Sequence, residues 1–85
     1  MNSIFWHPKA LRQLRKVEPK AVSQIRRAVT GELVDLSTAR NVKALTNHEY
    51  DYRLRVGSYR VFFNFDGSVH IVTIEEVKKR DERTY

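Results

Sequence analysis

The chain has 85 residues, 41% of them hydrophobic, which is enough for one domain over residues 1–85 with a single core and too apolar for a disordered chain. Its formal net charge of +6 favours polyanionic partners (RNA, DNA, anionic membranes or acidic proteins) without choosing among them. The absence of cysteine excludes disulfides, thiolate zinc sites and a cysteine nucleophile; with no apolar run near membrane-spanning length and no signal-peptide pattern, a cytoplasmic protein that avoids the membrane is expected.

Ser3 to Trp6 is aromatic and β-branched and reads as a strand. His7-Pro8 ends it, and Pro8 suits the first turn of a helix. Leu11, Leu14 and Val17 then recur at helical spacing, with Lys9, Arg12, Gln13, Arg15 and Lys16 turned to water. Glu18-Pro19 opens a second helix with an apolar stripe of Ala21, Val22, Ile25, Val29, Leu33 and Leu36. Gly31 weakens that helix by about 1 kcal/mol relative to alanine. Two helices joined this closely form an antiparallel hairpin. Residues 37–48 are polar and irregular, with Asn41 to Leu45 packing loosely.

From Tyr50 the period changes to two: Tyr50, Tyr52, Leu54 and Val56 alternate with Asp51, Arg53 and Arg55. Gly57-Ser58 and Asp66-Gly67 are two-residue hairpin signals. Strands are therefore expected over 50–56, 59–65 and 69–76, as an antiparallel meander. The expected fold is α+β, in the order β-α-α-β-β-β, with a helical hairpin packed on one face of an antiparallel sheet.

The first turn fixes a register. Val56 faces Tyr59, Arg55 faces Arg60 and Leu54 faces Val61, so Arg53, Arg55 and Arg60 share one face. Leu54, Val56, Tyr59, Val61 and Phe63 share the other, joined by Val72 and Ile74, and that face lies under the helices. Phe62, Ile71 and Thr73 fall on the arginine face. Like charges directly opposite each other destabilise a sheet, so Arg55 against Arg60 suggests an anionic third body between them. The competing reading is a solvated face with its arginines neutralised by Asp51, Glu75 or Glu76. Phe62 is expected as an exposed base-stacking surface or as a small apolar patch with Ile71.

After the last strand come Lys78, Lys79, Arg80 and Arg83, with Tyr85 at the end. A charged end is commonly a frayed, solvated one. This one starts from a defined strand, so its cations (Lys78, Lys79, Arg80 and Arg83) can reach the rim of the arginine face to hold a polyanion, and Tyr85 offers a stacking ring and a hydroxyl. Of the histidines, His7 reads as a helix cap or surface residue and His70 as structural, opposite Phe63. His48 lies in the loop before the arginine strand and is the one histidine placed for catalysis. Their spacing does not suggest a metal site, and no cofactor is expected.

Pro8-Lys9-Ala10-Leu11 with Leu14, the helical hairpin, the run from Tyr52 to Val61 (Tyr-Arg-Leu-Arg-Val-Gly-Ser-Tyr-Arg-Val) and the basic tail ending in tyrosine together resemble the RelE/ParE superfamily of toxins from type II toxin–antitoxin systems. The resemblance covers nearly the whole chain and implies a microbial RNase-like fold. RelE-like members cleave mRNA in the ribosomal A site; ParE-like members poison DNA gyrase and lack the basic catalytic set. Carried over, Arg53 and Arg55 match the strand cations, Arg60 the arginine of the Tyr-Arg step, Lys79 or Arg80 the tail cation and Tyr85 the late tyrosine. The retained set implies the RelE branch, a metal-independent endoribonuclease that inhibits translation. A gyrase inhibitor and a non-catalytic RNA-binding module are the alternatives. Asp51 stands where the enzymatic prototype has a lysine, and Val77-Lys78 where many relatives have a histidine, which leaves the general base open. The resemblance also implies a cognate antitoxin and a toxin–antitoxin hetero-oligomer.

Overall fold

Two helices pack on one face of a five-stranded mixed sheet, in the computed structural model, which describes residues 1–80. Strand β1 (Ser3–Trp6) leads through His7 into α1 (Pro8–Leu14), and a short turn leads to α2 (Pro19–Glu32). Strands β2 (Val42–Ala44), β3 (Tyr52–Val56), β4 (Tyr59–Asp66) and β5 (Ile71–Lys79) complete the sheet, in the order β1-β5-β4-β3-β2. The His7 ring caps α1, with Nδ1 accepting from the Lys9 amide at 3.1 Å. Pro8 and Pro19 each occupy the first turn of a helix, where a missing N–H costs nothing.

The core lies between the helices and one sheet face. Leu14, Ile25, Val29 and Leu33 meet Leu54, Val61, Phe63, Val72, Ile74 and Val77 there. Tyr52 stacks on its strand partner Phe63, their ring centroids 5.3 Å apart. Arg26 lies over the Trp6 ring at 5.4 Å and closes the edge of that layer with a cation–π contact.

Three features depart from the expected meander. The sheet has an extra edge strand, β2, in a segment that reads as irregular, and it pairs antiparallel with β3 through Val42↔Leu54, Lys43↔Arg53 and Ala44↔Tyr52. Three residues are too few to show a period. Second, β1 runs parallel to β5, so the sheet is mixed rather than wholly antiparallel.

Third, the turn between β4 and β5 spans four residues, with Asp66 facing Ile71, not two. Asp66 Oδ1 accepts from the Ser68 amide at 3.0 Å and its hydroxyl at 2.6 Å, and His70 takes a positive φ of 56°. Phe63 therefore faces Ile74, and His70 is an exposed turn residue rather than Phe63's partner. The slip is even, so Val72 and Ile74 still face the core. An irregularity between Phe62 and Phe63 then reverses the alternation: Phe62 faces Glu76 and Val61 faces Val77. Without this bulge Glu76 would enter the core; with it, Val77 does. Strand β5 also continues to Lys79, beyond the expected end at 76.

Candidate nucleic-acid interface

Two rows of side chains cross the sheet face away from the core. Arg55, Arg60 and Lys78 are directly paired across β3, β4 and β5. The next row is Lys43, Arg53, Phe62 and Glu76, across β2 to β5. The first row is three cations abreast, an arrangement that costs stability unless something neutralises it. Among the described residues no carboxylate forms an ion pair with Arg53, Arg55, Arg60 or Arg80.

Arg53, Arg55 and Arg60 line one cavity with Gly57, Tyr59 and Arg80, of about 180 Å³. Small-molecule pockets usually run to roughly 300–1,000 Å³. This one suits a compact anionic group whose larger remainder lies across the open face. Gly57, at φ 55°, makes the tight turn that brings Tyr59 and Arg60 back beside Arg55. The Arg80 amide donates to Ser58 O at 2.6 Å, which ties the end of β5 to that turn and brings Arg80 to the cavity. The Nε of Arg53 is buried with no hydrogen-bond partner among the described residues. Such a donor costs roughly 1–3 kcal/mol when left unsatisfied.

The acids that were candidates to neutralise the arginines are engaged elsewhere. Glu76 is 6% exposed; its Oε1 accepts from the Tyr50 hydroxyl at 3.0 Å and lies 3.4 Å from Lys9 Nζ, and its Oε2 lies 3.4 Å from Lys78 Nζ. Burial pushes this carboxyl up, but the Tyr50 hydroxyl, Lys78 and Lys9 together hold it below its ordinary value. Burial, followed by the bond to Glu76, pushes the Tyr50 phenol up to about 12. Asp51 accepts from the Phe65 amide at 3.5 Å, and Glu75 Oε2 accepts from the Asn64 amide group at 3.4 Å.

Phe62 is on the arginine face but is not exposed there. It is 8% accessible, covered by His48, which stacks on it at 5.2 Å and 13°, and by Tyr50 at 5.7 Å. The covering loop has no periodicity that reveals it. Ile71 pairs with Asp66 at the far end of the strand, so the two do not form a patch. Lys78 joins the cation row, whereas Lys79 pairs with Tyr59 and falls on the alternate face. Arg83 and Tyr85 lie outside the described residues.

Residues 4–84 match the family described as "ParE toxin of type II toxin-antitoxin system, parDE". The chain belongs to the RelE/ParE family of type II toxins. Solved structures agree in fold. Isolated RelE from E. coli superposes with a TM-score of 0.80 at 16% identity, over 99% of this toxin and 89% of that chain. The toxin–antitoxin complex RelBE2 from Mycobacterium tuberculosis gives 0.76 at 22% identity, over 93% and 98%. The intact E. coli RelBE complex gives 0.76 at 19%, over 98% and 100%. No curated protein matches the chain.

Proposed function

We propose that this toxin is a ribosome-dependent mRNA endoribonuclease of the RelE type, acting in the cytoplasm. The observation that carries the reading is the cavity lined by Arg53, Arg55, Arg60 and Arg80, which form no ion pair with a carboxylate among the described residues. In the proposed reaction the substrate's own 2′-hydroxyl attacks the neighbouring phosphorus. The P–O bond to the 5′ oxygen breaks; the 2′ proton passes to water and the leaving oxygen takes one from Lys79 or Arg80, the family's tail cation, giving a cyclic phosphate and a 5′-hydroxyl. Negative charge builds on the pentavalent phosphate, and guanidinium is suited to it: planar, bidentate and permanently charged. Arg55 and Arg60 flank the phosphate, Arg53 adds a third guanidinium to the wall of the cavity, and Arg80 supplies charge near the leaving oxygen. Lys78 extends the row along the RNA backbone. Lys79, Arg83 and Tyr85 remain assigned by family resemblance, Tyr85 to stacking or to orienting the 2′-hydroxyl. A permanently charged arginine is a poor base, so free RNA is a slow substrate, and mRNA in the ribosomal A site gains from positioning by the ribosome.

The partner is a cognate antitoxin, an acidic or partly disordered chain that covers the cation row. The M. tuberculosis RelBE2 and E. coli RelBE structures are toxin–antitoxin complexes, and a net charge of +6 suits an acidic chain that wraps the cations. The family description names ParE, so gyrase inhibition is the second reading. Expression of wild type and Arg60→Ala in cells, with mapping of mRNA 5′ ends, separates them. Codon-phased cleavage lost in the variant is expected. DNA damage with intact mRNA would move the assignment to gyrase, and unimpaired growth would overturn both.

A further inference from the structure

We propose that His48, rather than the buried Phe62, is the nucleobase-stacking surface of this site. The inference rests on reading the arginine cavity as a phosphodiester site, and it adds a base-binding residue outside the set carried over from the family.

The stack begins inside the fold. Phe62 is nearly covered, and the His48 ring lies almost parallel on it, 13° off, at a centroid distance of 5.2 Å that marks an offset stack. His48 itself is exposed. The aromatic surface that Phe62 cannot offer to solvent is thus offered one ring further out.

The ring is held in place before any ligand arrives. His48 Nδ1 accepts from the Tyr50 amide at 3.1 Å. Tyr50 in turn leans on Phe62 and donates its hydroxyl to the buried Glu76 at 3.0 Å. The Asp51 amide donates to Asn64 Oδ1 at 2.8 Å, and the Leu45 amide to Asp51 O at 2.9 Å, so both ends of the loop are fixed to the sheet or to each other. An aromatic ring held at a fixed place loses little freedom on binding.

The chemistry follows from that hydrogen bond. With Nδ1 accepting, the neutral imidazole carries its proton on Nε2. His48 therefore presents a ring face for stacking and an N–H donor for an acceptor on a base or sugar. Nε2 in this state cannot take a proton, which argues for binding rather than general-base work. The position suits an adjacent nucleotide. Phe62 is the direct cross-strand partner of Arg53, so the strand position that carries the stack is next to one that lines the cavity. A phosphodiester held by the arginines leaves its neighbouring base over the His48 ring.

The test uses the full-length toxin with short single-stranded RNA containing 2-aminopurine, and the same RNA with an abasic residue. His48→Ala is expected to weaken binding of the base-containing RNA roughly 5- to 100-fold, the range for one lost base–aromatic stack. Quenching of 2-aminopurine falls with it. Binding of abasic RNA stays as in wild type, and so does the salt dependence, which reports phosphate contacts. His48→Asn, which keeps an acceptor for the Tyr50 amide but has no ring, loses affinity and quenching likewise and carries the test should the alanine protein fail to fold. Arginine-dependent RNA binding with unchanged affinity and quenching in both His48 variants overturns the stacking role alone. No RNA binding by wild type, with no effect of Arg60→Ala, overturns the phosphodiester reading and this inference with it.

Discussion

Glu76 and Arg60 sit in adjacent rows of the same sheet face, and their surroundings obey opposite rules. Around Glu76 the carboxylate is matched by partners of complementary character: two lysines and a phenol lie within 3.4 Å of its oxygens. Around Arg60 like charges are set abreast, Arg55 on one side and Lys78 on the other, and Arg53 in the neighbouring row keeps a buried donor without an acceptor among the described residues. The fold can satisfy a charge when it needs to, as the bulge that delivers Glu76 to Tyr50 shows. The frustrated row is the one that the proposed RNA phosphate would complete. Lys78 belongs to both clusters and screens one from the other.

The largest expected effect comes from removing the frustrated charges. Arg60→Ala or Arg55→Ala should lower cleavage of A-site mRNA about 10²–10³-fold, the usual cost of one well-aimed transition-state contact. Neither should lower the midpoint of urea unfolding. Loss of activity together with a large loss of stability would erase the distinction between the two clusters.

Glu76→Ala tests the opposite half. It strands the Tyr50 hydroxyl and deprives Lys9 and Lys78 of their anion, at an expected cost of about 1–3 kcal/mol in urea unfolding. The figure stays below that for a fully buried pair because both lysines are largely hydrated, with 46% and 62% of their side chains exposed. Because its folded value lies below the ordinary 4.5, the Glu76 contribution is present above that pH and lost as pH falls through the folded value. An unchanged unfolding midpoint for Glu76→Ala at neutral pH would mean the matched cluster is ornamental.

Tyr50→Phe is expected to cost about 1 kcal/mol, one hydrogen bond to a charged acceptor offset by easier burial of the ring. Its pH dependence is the sharper measurement. The phenol is raised from 10.0 to about 12, so wild-type stabilisation is full below pH 10 and is lost as pH rises to about 12. The Phe variant lacks this alkaline loss, and the two unfolding curves should converge across that window. Parallel curves would show that Tyr50 ionises as freely in the folded state as in the unfolded one.

The frustrated cluster was the more legible of the two in the sequence. Gly57-Ser58 fixes the length of its turn, and that alone sets Arg55 opposite Arg60. The helical stripes and both proline starts were readable for the same reason, since each rests on local spacing. The matched cluster was hidden because it is assembled from distant pieces: Lys9 from α1, Tyr50 from a loop, Glu76 from a strand whose parity flips at a bulge. Nothing in Glu75-Glu76-Val77 says which residue turns inward; the core decides, by accepting valine. The burial of Phe62 was hidden by the same route: the sequence allows an exposed stacking surface or a patch with Ile71, and its actual cover comes from a loop without a period.

The smallest expected effect on stability separates the two rules most directly. Arg55→Glu puts a carboxylate opposite Arg60 and replaces a repulsive cross-strand pair with an attractive one. Opposite charges at such a position are worth roughly 0.2–1 kcal/mol relative to a neutral pair, so the variant should unfold at slightly higher urea than wild type. The same change fills the cavity with the fold's own anion, and RNA binding should fall, with a shallower salt dependence as phosphate contacts are lost. A gain of stability with a loss of binding is what a row kept charged for a ligand predicts. A loss of stability would mean that Arg55 and Arg60 are already neutralised within the fold, and the space between them would then have no call on a phosphate.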